Sequence, residues 1–96
     1  MKLRYNKQDD KLTVLVDGRL DTTTARDFEA EMEANLADVS ALTIDCEKLA
    51  YVSSAGLRVL LELQKKMPNA MKLIHVGELV MEVFEITGFV DVLVIE

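Results

Sequence analysis

One cysteine, one histidine, one proline and no tryptophan occur among the 96 residues, and each scarcity removes a class of function. Cys46 has no second thiol to pair with. With His75 as the single imidazole, a zinc centre of the usual Cys/His kind is not expected either. Cys46 therefore reads as a small buried thiol, and no metal is expected. Basic side chains are in the minority, 11 against 17 acidic, for a net charge of −6. That charge would repel nucleic acid and anionic lipid surfaces, leaving a protein partner or a small ligand. No apolar run approaches the roughly 18 residues of a membrane span, and Met1-Lys2-Leu3-Arg4-Tyr5 lacks the apolar centre of a secretory signal. A cytoplasmic protein that does not insert into membrane is expected. With half its residues apolar, the chain should fold as a single domain over 1–96.

The motifs that carry catalysis are also missing. There is no Gly-x-x-x-x-Gly-Lys loop and no Gly-x-Gly-x-x-Gly turn. Val52 stands where a nucleophile elbow around Ser54 would need its first glycine. A serine nucleophile needs a base, and His75 lies in an apolar run that reads as a core strand. Asp17, Asp21 and Asp45 could converge at one sheet edge as oxygen ligands, but turn and capping roles account for such aspartates more simply. We expect neither an enzyme nor a bound cofactor.

What is present is a regular alternation of strand and helix signals. Lys2 to Asn6 and Lys11 to Val16 form a hairpin across the polar Lys7-Gln8-Asp9-Asp10, with Leu12, Val14 and Val16 on its buried face, and this hairpin should make the antiparallel edge of the sheet. Asp17 to Asp21 turn the chain. A helix follows from about Thr22 to Asp38, with Ala25, Phe28, Met32, Leu36 and Val39 inward and Asp27, Glu29, Glu31 and Glu33 on a solvated face. Ala41 to Cys46 is apolar enough for a central strand ending near Asp45, and Glu47 to Val52 link it onward. A second helix runs to about Met67 and stops at Pro68-Asn69. Met71 to Val76 is the next strand. A short helix over Glu78 to Thr87 should bury Leu79, Val80, Val83, Phe84 and Ile86 before Gly88 caps it. Val92 to Ile95 is the last strand. This order predicts an α/β fold: a mixed, mostly parallel sheet of about five strands, an N-terminal antiparallel hairpin and three main helices.

The stretch Tyr51-Val52-Ser53-Ser54-Ala55-Gly56-Leu57-Arg58 organises the rest. Ser53 and Ser54 stand where the first N–H groups of a helix lack intrahelical acceptors, so either could cap. On a helical wheel Leu57, Val59, Leu60, Leu61, Leu63 and Met67 share one arc, while Arg58, Glu62, Lys65 and Lys66 share the other. Ser53 falls within the apolar arc. Ser54 falls at its border, one turn before Arg58, and is the serine expected to meet solvent.

At this segment the sequence resembles the anti-sigma factor antagonists, whose domain is called the STAS domain. The family pattern is Asp-Ser-Ser/Thr-Gly-Leu, and the chain reads Ser53-Ser54-Ala55-Gly56-Leu57, with Ser53 in place of the aspartate. Gly18-Arg19-Leu20-Asp21 is similar to the family's Gly-x-Leu-Asp element. Ile44-Asp45 is similar to its central strand end, and Thr87-Gly88-Phe89 to its closing turn. The resemblance implies a regulatory module that binds an anti-sigma factor serine kinase and frees a sigma factor. It further implies phosphorylation at Ser54, or alternatively at the adjacent Ser53, and a phosphatase as an additional partner. The implied docking surface comprises Asp21, Thr22, Ser53, Ser54, Ala55, Gly56, Leu57 and Arg58. Two other readings stay open: a STAS module regulating a membrane transporter such as a lipid-exporting ATP-driven one, and a binder of small anionic ligands or nucleotides.

Overall fold

A computed structural model describes all 96 residues, with the elements β1 (Lys2–Gln8), β2 (Lys11–Leu20), α1 (Ala25–Asn35), β3 (Ala41–Asp45), β4 (Leu49–Val52), α2 (Ser54–Lys66), β5 (Met71–Ile74) and α3 (Glu78–Thr87). The sheet runs β1-β2-β3-β5, and β4 pairs with the far end of β2. Only β1 is antiparallel to its neighbour; β2 with β3, β2 with β4 and β3 with β5 are parallel. The expected mixed sheet and three helices are both present.

Strand alternation sets the layers. Leu12, Val14 and Val16 of β2, Leu42 and Ile44 of β3, and Met71 and Leu73 of β5 are buried. The intervening Thr13, Leu15, Thr43, Lys72 and Ile74 are half-buried on the other face, as a period of two requires. Phe28 and Met32 of α1, Leu57, Leu60 and Leu63 of α2, and Phe84 of α3 complete one continuous core. Cys46 lies in that core, where burial pushes its thiol up to about 12. The acidic side chains Asp27, Glu31 and Glu33 of α1 are solvated.

Several sequence expectations need correction. Asp17 to Leu20 do not turn the chain; β2 continues through them, and its register shifts between Gly18 and Arg19. Gly18 takes φ +121°, a conformation open to glycine, which lets the strand kink without ending. The continuation has a partner the sequence did not disclose. Glu47 to Val52 are more than a link, because Leu49–Val52 is β4. Helix α1 starts three residues later than expected and ends at Asn35. Residues Phe89–Asp91 form one turn of 3-10 helix, and the Val92 to Ile95 strand shrinks to a single parallel bridge between Leu73 and Ile95. The turn is still closing there, with the Leu93 N–H donating to the Phe89 carbonyl at 2.8 Å. On α3, Val80 and Phe84 are buried but Leu79 and Ile86 are 70% and 84% exposed.

His75 also departs from expectation. It is not a core histidine, and its side chain is 58% exposed. Alternation after Met71 and Leu73 would aim it into the core. Instead it takes φ +57°, which breaks the strand's period and brings the ring to Asp45 at the end of β3.

Candidate functional site

The entrance to α2 is assembled by two parallel strands that end together. Leu20 of β2 pairs with Val52 of β4, and the Ser53 N–H donates to the Leu20 carbonyl at 2.9 Å. Asp21 and the two serines therefore leave the sheet side by side. Ser53 has extended φ and ψ, and its hydroxyl accepts from the Gly56 N–H at 3.4 Å, so it is the N-cap. Ser54 is the first residue of the helix and is exposed; Arg58, one turn later, is exposed as well. The division of roles between the serines thus follows the wheel, with the buried-side hydroxyl capping and the other left to solvent.

Gly56 explains how the helix can start so close to the sheet. A Cβ on it would lie 2.7 Å from the Leu20 carbonyl oxygen, 2.8 Å from Leu20 Cγ and 2.9 Å from Val52 Cγ2. Distances under 3 Å leave no room for any side chain. Gly56 is buried and Leu57 is 4% exposed, so neither offers a side chain to a visiting protein. Within the docking set that the resemblance implies, these two support the surface from beneath. Ala55 is half-buried and Thr22 exposed, and both remain at the rim.

The Asp21 loop is stiffened by its own hydrogen bonds. Its carboxylate accepts from the Thr23 N–H at 2.9 Å and from the Thr23 hydroxyl at 2.7 Å, and the Asp21 N–H donates to Thr24 Oγ1 at 2.9 Å. The Thr23 hydroxyl bond, with the Thr23 backbone bond next, holds the Asp21 carboxyl below the usual carboxylate range. Asp21 is thereby a fixed negative charge, while Ser54 sits at the positive end of a helix dipole.

Sequence reasoning missed two residues here. The Arg19 guanidinium lies 4.5 Å from the centroid of the Tyr51 ring, and its Nε is 3.6 Å from Asp21 Oδ2. Both Arg19 and Tyr51 are exposed, on β2 and β4, the strands that deliver Asp21 and Ser54. Only the bulge-shifted pairing of Arg19 with Tyr51 brings them together, and no local pattern encodes it. Asp17, Asp21 and Asp45 do not converge on one point. The one group of three potential metal-binding side chains is Asp45, Glu47 and His75.

Comparison with known proteins agrees with this architecture. Residues 3–95 match the family profile described as Mlab, STAS domain. The chain is 35% identical over 96 residues to BtrV of Bordetella bronchiseptica, which carries the name anti-sigma factor antagonist; the match covers 96% of this chain and 83% of that protein. An anti-sigma factor antagonist from Mycobacterium paratuberculosis superposes with a TM-score of 0.86 at 24% identity, covering 98% of this chain and 83% of the other. The phosphorylated form of the Bacillus cell fate determinant SpoIIAA superposes at 0.73 and 14% identity, covering 99% and 91%. The chain belongs to the STAS domain family of anti-sigma factor antagonists. No helix is long and apolar enough to cross a membrane.

Proposed function

We propose that this protein acts in the cytoplasm as a binding switch: it docks an anti-sigma factor serine kinase, so releasing a sigma factor, and lets go when the kinase phosphorylates Ser54. It works by binding, not by catalysis. One observation carries the reading: Ser54 is exposed at the first position of α2, beside a loop held rigid by Asp21, while Ser53 does the capping. Modifying Ser54 therefore leaves the cap hydroxyl in place.

The charge arithmetic supports a switch. A phosphate adds about −1.5 to −2 charges and three acceptor oxygens at one point. Within this protein that charge is tolerated by the free N–H groups of the helix start and by Arg58 one turn on. Across a docked interface the same charge would lie close to Asp21, whose carboxylate is already spoken for by Thr23. A partner that fits the neutral hydroxyl would have to desolvate a dianion, which costs binding. SpoIIAA, of the same fold, exists in a phosphorylated form, so the architecture accommodates the group.

Incubation with the cognate kinase and ATP tests the proposal. The expected result is the mass gain of one phosphate, absent in Ser54→Ala and kept in Ser53→Ala, together with a complex in the ADP state. A protein that gains no mass and forms no complex, or that co-purifies instead with a detergent-solubilised transporter, overturns it.

A further inference from the structure

A second group of polar side chains lies at the C-terminal ends of β3 and β5. Asp45 closes β3, Glu47 follows two residues later, and His75 comes directly after β5. In the parallel register Asp45 faces Ile74, and the Cys46 N–H donates to the Ile74 carbonyl at 2.8 Å. The two strand ends are therefore locked side by side. The left-handed turn at His75 swings the imidazole out of the core direction, placing Nδ1 2.9 Å from Asp45 Oδ1. One donor atom from each of Asp45, Glu47 and His75 lies within 4.8 Å of the other two.

We propose that Asp45, Glu47 and His75 form a binding site for a divalent first-row transition-metal cation, of which Zn²⁺ is the probe of choice. Two carboxylate oxygens and one imidazole nitrogen are a mixed donor set. The nitrogen favours zinc, cobalt or nickel over magnesium and calcium, which take oxygen. Two adjacent donors on a tetrahedral cation with bonds of about 2.1 Å lie about 3.4 Å apart, so the hydrogen-bonded His75–Asp45 pair at 2.9 Å has to open slightly, and Glu47 to close in, for the three to share one cation. On binding, Nδ1 must be free of its proton: the imidazolium releases it to solvent, whereas the neutral ring exchanges it for a proton on Nε2, and in both cases a neutral imidazole turns its Nδ1 lone pair to the cation. Three protein donors leave the remaining positions to water, because His75 and Glu47 are exposed.

Such a cation would tie the β3–β4 connection to the β5–α3 connection. The first leads through β4 to Ser54 and the second through Gly77 to α3. The group is independent of the phosphorylation proposal, and its test can fail alone.

Calorimetric titration of the purified protein with ZnCl₂, with MgCl₂ as control, should give one site per chain for zinc and none for magnesium. His75→Ala and Glu47→Gln, both at exposed positions, should each weaken zinc binding by about tenfold or more. Zinc should also raise the melting temperature of the natural protein but of neither variant. Addition of Mn²⁺ as a paramagnetic probe should broaden the amide signals of residues 45–47 and 75 before others. The proposal is overturned if zinc does not bind, if both variants bind it as the natural protein does, or if Cys46→Ser alone abolishes binding.

Discussion

Helices α2 and α3 are both amphipathic, yet the fold treats them differently. Helix α3 is the more apolar by composition and nevertheless the less buried, with Val80 and Phe84 alone inside. Helix α2 carries Arg58, Glu62, Lys65 and Lys66 but buries Gly56, Leu57, Val59, Leu60, Leu63 and Gln64. Place in the fold makes the difference. Helix α2 follows β4 and packs beside α1, and the Lys66–Glu33 ion pair joins the two helices across their outer edges. Helix α3 follows the last strand and packs chiefly on β4 and the short 3-10 turn. Its apolar stripe is wider than the surface it meets, so Leu79 and Ile86 are left outside. Composition sets what a helix could bury, and neighbours set what it does bury.

That contrast can be broken at its strongest point first. Phe84 is fully buried, so Phe84→Ala should cost about 3–5 kcal/mol in denaturant unfolding, whereas Ile86→Ser on the same helix should stay within about 0.5 kcal/mol. Equal losses from the two would mean that α3 is anchored along its whole stripe. At the start of α2, Gly56→Val forces atoms against the Leu20 carbonyl and should cost about 3 kcal/mol, read as a lowered midpoint in urea. A midpoint unchanged from the natural protein would show that α2 can lift off the sheet freely. Smaller still, Ser53→Ala removes a cap bond of 3.4 Å and should cost about 1 kcal/mol or less by the same assay. A null result there would shift the capping role to Ser54.

Much of this design could be read from the chain because local pattern and tertiary environment agree. The buried residues of β2, β3, α1 and α2 follow their periods of two and 3.6, and helix and sheet cover one another in a single core. The exact range of α3 was legible too, since Gly77 opens it and Gly88 closes it at φ +82°. The misses share a cause: pairing partners distant in sequence. Strand β4 has four residues with its middle two exposed, so no alternation marks it, and it exists because β2 runs on past a glycine bulge. The stack of Arg19 on Tyr51 depends on that same pairing. His75 was misplaced because an apolar run suggests a continuous strand, whereas the Asp45 carboxylate rewards the ring for leaving it. The hydrogen bond to Asp45 also holds the imidazole pKa above its ordinary value. Gln64 buries within α2's apolar side, where its side-chain oxygen accepts from the Val94 N–H at 3.4 Å. That acceptor role satisfies a backbone donor of the C-terminal segment, and nothing near Gln64 in sequence announces it.

The two serines were distinguished by their angular positions alone, and their geometry agrees: one side chain serves the helix and the other is free. Around the free one, the surface proposed for docking gains Arg19 and Tyr51, with Gly56 and Leu57 supporting it from beneath. What remains is a compact patch of fixed charges and one modifiable hydroxyl.

The most direct measurement is the affinity of the ADP-bound kinase partner for Ser54→Asp and Ser54→Ala, each with its melting temperature. The account predicts that the alanine variant binds like the natural protein while the aspartate variant binds at least about tenfold more weakly, both melting within a few degrees of it. An aspartate variant that binds as tightly as the natural protein would contradict the charge switch.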